Sequence, residues 1–291
     1  MNFRRAQLGL SALASNAALA RAAVAHANYV ALNDSYLEGH GETAGKPGFT
    51  GSDVSARLAS VGYLARPTSE NMTYLMFNYG AEKTDGLIDA PYHRSTQLGD
   101  FLEVGGGGSF LARSAARAQD AYHYVADFGG KSPSWGPTIN QLTVLPSPGQ
   151  QDAPTGWLAL EFPNPVPDLA GQFVGYPISL QSASGSAPVV SAFALSNSRS
   201  IAVSGRLVTK RSDNGIALGY HAFWIPLALL TADSNYTATA TGSLDGVPFN
   251  LSWNFKTKVQ LPLSITASAA SLRAAADTAC SALTSRVPKP P

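Results

Sequence analysis

The sequence of 291 residues predicts an α+β chain in which interleaved helices and strands are followed by an all-β sandwich. Three observations carry that prediction. In the first sixty residues apolar side chains recur at spacings of three and four, the period of a helix with one buried face. Beyond about residue 157 the period becomes two: Phe249, Leu251, Trp253 and Phe255 alternate with Asn250, Ser252, Asn254 and Lys256, as in a strand with one buried face. Between the two lies a stretch punctuated by Pro133, Pro137, Pro146, Pro148 and Pro154, which reads as a linker or an irregular edge. The expected organisation is a mixed domain over 1–130, a Pro/Gly-rich linker over 131–156, a β-sandwich over 157–258 and an Ala/Ser-rich tail over 259–291.

The elements follow in order. Met1 to Arg5 and the Ala/Leu-rich stretch after them imitate a secretory signal, but Gln7, Ser11, Ser15 and Asn16 interrupt it, and any export signal is expected upstream of Met1. A helix reads better: Asn16 caps it, it runs from Ala17 to about Asn33, and Leu19, Ala23, Ala27 and Val30 form its apolar face. A second helix starts at Ser52 or Asp53, buries Val54, Leu58 and Val61, and stops at Gly62. A third is expected over Glu82 to Ala90, ended by Pro91. Phe101–Val104 and Ala121–Phe128 read as strands. Interleaved in this way, helices and strands imply a sheet covered by helices. In the second part, strands are expected at Val189–Leu195, Ile201–Val208 and His221–Ile225. Tyr236, Ala238 and Ala240 pair with the 249–255 run through an Asp245-Gly246 turn, whose residues accept positive φ. Several short strands at this spacing make a sandwich of about 100 residues. The tail carries a helix near Ala269–Leu283 and is expected to be mobile, so that its removal does not unfold the protein.

Composition limits function. Lys and Arg number 20 and Asp and Glu 19, a net charge of +1, and nothing in that balance calls for nucleic acid or an anionic membrane. Charged residues are 13% of the chain, about half the usual share. The polar surface is therefore mostly Ser, Thr, Asn, Gln and Gly, a composition more usual outside the cell. The single cysteine, Cys280, excludes an internal disulfide framework and a Cys-rich zinc site, and no apolar run is long enough for a transmembrane segment. Gly105–Gly108 lacks the Lys and Ser/Thr of a phosphate loop, and no nucleophile elbow is present.

Five histidines remain to be weighed. His26 reads as a packing residue inside the first helix, His123 as an edge or core position between two tyrosines, and His221 as structural. His40 differs, lying in Glu38-Gly39-His40-Gly41-Glu42, a loop with two carboxylates. So does His93, in Ala90-Pro91-Tyr92-His93-Arg94. Glu70 opens an apolar strand, where a carboxylate is out of place. Two imidazoles and a carboxylate suit a divalent metal such as zinc, with a fourth position left to water; the same groups also suit a hydrogen-bonded, pH-sensitive cluster without metal.

The order of these pieces resembles the CAP superfamily, the domain shared by cysteine-rich secretory, antigen 5 and pathogenesis-related proteins, in its bacterial, cysteine-poor branch. The likeness is carried by Asn2-Phe3-Arg4-Arg5, Ala25-His26-Ala27-Asn28-Tyr29, Lys46-Pro47-Gly48-Phe49-Thr50-Gly51, Arg57 to Tyr63, Glu70-Asn71, Ala90-Pro91-Tyr92-His93-Arg94 and Leu102-Glu103-Val104-Gly105. It implies an α–β–α sandwich over the first 130 residues, with a cleft of two His and two Glu. Carried over, His40 and His93 stand for the histidines and Glu70 for one glutamate; the second has no match, and Asp89 and Glu42 are its candidate substitutes. The resemblance implies a secreted or envelope-associated protein that binds a small apolar ligand (a lipid or sterol), a cell-envelope component, or Zn2+ or another divalent cation. Its alternatives are a metal-dependent hydrolase or protease using His40, Glu70 and His93, and an adhesion or spacer protein with a vestigial cleft. Residues 157–258 are similar to a bacterial Ig-like module.

Overall fold

The computed structural model describes residues 1–35, 39–75, 86–112, 120–136, 141–212 and 219–259. The expectations for residues 82–85, for the tail helix at 269–283 and for Cys280 lie outside these. The chain is α+β, and among the described residues no helix is long and apolar enough to cross a membrane.

The first half is built on one sheet. After α1 (Asn2–Gln7), β1 (Ala14–Ser15) leads into α2 (Ala17–Asn33), α3 (Val54–Ser60), β2 (Thr68–Leu75), α4 (Pro91–Gln97), β3 (Phe101–Leu111) and β4 (Ala121–Lys131). The strands lie in the order β1-β3-β4-β2, with β1 parallel to β3 and the other pairs antiparallel. Helix starts follow the sequence signals. The Asn16 side chain accepts from Ala18 N and Leu19 N and Asp53 accepts from Ala56 N, N-caps worth about 1 kcal/mol each. Pro91 departs from expectation. It does not end a helix but opens α4 at its first position, where a missing N–H costs nothing and a fixed φ favours the helix.

The glycine run decides how α2 meets this sheet. Cβ atoms alternate across a strand, so Gly105 and Gly107 face α2 and Gly106 and Gly108 face away. A methyl group on Gly105 would collide with Ala20 N, and one on Gly107 with Val24 Cγ2. An Ala-rich helix on a glycine-floored strand thus brings two backbones close together.

The second half contains β5 (Thr143–Leu145), β6 (Gly156–Leu158), a 3-10 turn (Pro167–Leu169), β7 (Phe173–Gly175), β8 (Ile178–Gln181), β9 (Pro188–Asn197), β10 (Gly205–Thr209), β11 (His221–Pro226), β12 (Asn235–Leu244) and β13 (Val247–Lys256). These make a four-stranded sheet β10-β11-β8-β5, a three-stranded sheet β13-β12-β9 and a hairpin β6-β7. Both larger sheets feed one apolar core that includes Ile178, Leu180, Phe193, Leu195, Trp253 and Phe255. The β12–β13 hairpin turns at Asp245-Gly246, both at positive φ. The Pro-rich stretch joins both halves: Trp135 donates its Nε1–H to Leu98 O at 2.9 Å, while β5 pairs with β8.

The halves meet at α4. Arg94 is fully buried and donates to Ile88 O (2.7 Å), Pro177 O (2.6 Å) and Ser179 Oγ (3.1 Å), with its guanidinium 4.9 Å from the centre of the Tyr176 ring. Gln181 donates to Ser95 O and Ser184 to Asp100. Ala90 packs with Trp157, Val174 and Phe223 in a shared apolar cluster.

Candidate functional site

Glu70 and Asp127 are directly opposite each other on β2 and β4, and both point to the α2 side of the sheet with Gly105, the β3 partner of Asp127. Two carboxylates side by side in a protein interior need a cation, a proton or both. Arg57 of α3 supplies the cation: its Nη2 donates to Glu70 Oε2 at 2.7 Å and its Nη1 to His40 O at 2.8 Å. The other Glu70 oxygen accepts from His40 Nδ1 at 2.7 Å. Glu70 is 1% exposed at the side chain whereas the His40 ring is 48% exposed, so this contact joins the interior to the surface.

A second pair lies behind the first. His26 of α2 is fully buried and donates Nδ1–H to Glu42 Oε1 at 2.9 Å, with its Nε2 3.9 Å from Glu70 Oε1. Glu42 also accepts from the backbone of Thr50 (2.6 Å) and Gly51 (3.3 Å), which pins the 39–52 loop to the helices. His123 of β4 is buried, with its ring 6.4 Å from that of His26.

Protonation follows from this geometry. Burial opposes the charge on Glu70, but the hydrogen bond from His40 and the field of Arg57 outweigh it and hold the carboxyl well below its usual range. Asp127 is driven the other way, by burial and then by the Glu70 charge. Neither Asp127 oxygen has a hydrogen-bond partner among the described residues, and a proton on Asp127 gives it a donor to offer Glu70. Burial lowers both imidazoles that lie within the sheet–helix interior, His26 and, to about 4, His123.

The sequence-expected residues divide between this cluster and the α4 interface. His40, Glu70 and Glu42 come together. His93 and Asp89 do not join them. His93 Nδ1 faces Glu161 Oε1 at 2.5 Å, and Glu161 also accepts from His93 N (2.8 Å) and Tyr92 N (3.1 Å), while His93 Nε2 faces Met72 O at 3.2 Å. Asp89 accepts from the Tyr176 hydroxyl at 2.9 Å, and burial raises its pKa.

A divalent cation does not fit the expected set of His40, Glu70 and His93. Arg57 already lies against Glu70, both Glu70 oxygens are engaged, and both His93 nitrogens have partners. Among the described residues no group of three or more His, Cys, Asp or Glu is arranged to hold a metal ion. Sequence reasoning missed Asp127 and Arg57. Asp127 carried a usable signal, a carboxylate inside the apolar run Val125-Ala126-Asp127-Phe128, the same cue that singled out Glu70. His26 is buried as expected of a packing residue but is hydrogen-bonded within the cluster. His221, read as structural, is buried against Phe223 with ring centres 4.8 Å apart.

No protein-family model matches the chain, and no curated protein matches it. Among solved structures it is similar to an extracellular protein containing an SCP domain from Bacillus anthracis, at 21% identity and a TM-score of 0.35. The match covers 45% of this chain and 37% of that one. Nothing about chemistry or binding passes from that protein to this chain.

Proposed function

We propose that the protein is a secreted or envelope-associated CAP-like binding protein with an Ig-like second half, in which His40 receives the polar end of a small apolar ligand, a lipid or a sterol. One observation carries the reading. The half-exposed His40 ring is oriented from behind by a buried carboxylate, itself held by Arg57, and among the described residues its Nε2 has no partner. An imidazole fixed by a carboxylate on one nitrogen offers the other in a set direction, which suits a hydroxyl, carboxyl or phosphate head group. The low charge content favours an extracellular setting. Arg57 beside Glu70 disfavours a cation as the ligand, and with it the metal-dependent hydrolase. The buried contacts of α4 with the second half disfavour a spacer role for that half.

The test is titration with a fluorescent fatty acid and a fluorescent sterol. Saturable micromolar binding is expected to one of them. Loss of a hydrogen bond worth about 1.5 kcal/mol weakens binding by about tenfold in His40→Ala, with His221→Leu unchanged. Equal affinity in the parent and His40→Ala, or no binding of either probe, overturns the reading.

A further inference from the structure

The face of the first sheet that points away from α2 is only partly covered. Met1 and Leu13 pack on Ala126, Phe128, Val104 and Tyr124 at one end. Towards the other end, Phe110 is 59% exposed and its cross-strand partner Tyr122 is 37% exposed. The tyrosine rings lie diagonally across β3, with Tyr124 over Gly106 and Tyr122 over Gly108, where a Cβ would strike their hydroxyl ends. From Val104 to Phe110 on β3 and from Tyr122 to Phe128 on β4, this face carries no charged residue.

The last described residues emerge beside this face. Lys258 N donates to Ala153 O at 2.9 Å, and Asp152 lies 3.8 Å from Arg4 of α1, the short helix whose preceding residue, Met1, packs at the covered end. A groove of about 550 Å³ opens there, lined by Met1, Asn2, Val104, Gly106 and Tyr124 among others. The chain continues for residues 260–291, which lie outside the described part. As a helix, 269–283 places Leu272, Ala276, Ala279, Cys280 and Leu283 on one side, and Arg273, Asp277, Ser281 and Thr284 on the other. Such a stripe is stable only against an apolar partner.

We infer that residues 269–283 form an amphipathic helix that docks its Leu272–Leu283 stripe on the Phe110–Tyr122–Tyr124 face of the first sheet. The reach is sufficient: residues 260–268 span up to about 30 Å when extended. Fifteen helical residues measure about 22 Å, close to the roughly 20 Å of β3 from Val104 to Phe110. The stripe is small-residue rich, as is α2, which approaches the same strand closely on its other face. Its charges fall on the side away from a face that has none.

Cys280 is the only cysteine, so its reaction with a thiol reagent reads the docking directly in the full chain. The native protein is expected to react at least tenfold more slowly than the urea-unfolded chain, at any protein concentration. Phe110→Asp and Tyr122→Asp are expected to restore fast reaction while the β-sheet circular dichroism is unchanged. Tyr122→Cys, under mild oxidation, is expected to form a disulfide with Cys280. Native reaction at the unfolded rate overturns the inference, as does protection that survives both Asp variants, which places the tail elsewhere. Protection that disappears on dilution assigns the cover to a second copy and overturns it too.

Discussion

The interior between α2 and the first sheet and the interior of the second half solve burial in opposite ways. In the second half, alternation along β12 and β13 sends Tyr236, Ala238, Ala240, Leu251, Trp253 and Phe255 inward, and stability there comes from apolar area removed from water. Beneath α2, the inward positions of β2 and β4 include Glu70, Asp127 and His123, answered by His26, Glu42 and Arg57 from the helices and the loop. That interior is held by charge-assisted hydrogen bonds, whose net worth depends on every partner being present. The difference teaches where chemistry can reside: an apolar core tolerates pH, whereas a polar one communicates through His40 with the surface.

Paired substitutions test the comparison most severely. Arg57→Met leaves Glu70 and Asp127 buried without their cation and is expected to cost about 3–5 kcal/mol. Trp253→Ala is expected to cost a similar 3–5 kcal/mol through a cavity. Urea unfolding at pH 5 and pH 8 separates them, because the loss in Arg57→Met grows with pH whereas that in Trp253→Ala stays constant. Equal pH dependence in the two variants would erase the distinction drawn here.

The join between the halves gives the next largest effect. Glu161→Ala strips acceptors from Tyr92 N, His93 N and the His93 ring at once and is expected to destabilise by about 2–3 kcal/mol. Because α4 is packed by both halves, the parent and this variant are each expected to unfold in one calorimetric transition. Two resolved transitions in the parent would show that the α4 contacts do not couple the halves.

Asp127→Asn sharpens the account of the polar interior. The native state keeps the Asp127 proton to a higher pH than the unfolded chain, whose aspartate titrates near 3.8, so native stability falls as pH rises above that value. The amide removes this penalty, and a gain of about 1–2 kcal/mol at pH 8 is expected, with little change at pH 3.5. A loss at pH 8 would mean that the carboxyl is ionised. The smallest effect belongs to His221, whose imidazole burial lowers to about 3. Its contribution is complete above pH 6.5 and is lost as pH falls towards 3. His221→Leu should therefore shrink the acid-induced drop in Tm between pH 6.5 and 4.5 by the equivalent of about 1 kcal/mol.

What could be read in advance was local. Asn16, Asp53 and Asp245-Gly246 announce caps and a turn because their side chains or φ preferences act within four residues. The alternation of β13 declares its buried face because the strand period is two. Glu70 stood out for breaking such an alternation. Contacts across the sheet, or between the halves, leave no such mark. Arg57 occupies an ordinary helical position, Glu161 lies 68 residues from His93, and nothing near either announces its partner.

By itself, then, the sequence determined the α+β class, the main helix starts, the β12–β13 hairpin and the prominence of His40 and Glu70. The tertiary structure alone decided that His40 meets Glu70, that Asp127 shares its interior, and that His93 turns instead to the second half. The physical reason is that helices and turns are set by interactions over a few residues, whereas the protonation and partners of a buried charge depend on what the whole fold places within about 4 Å of it.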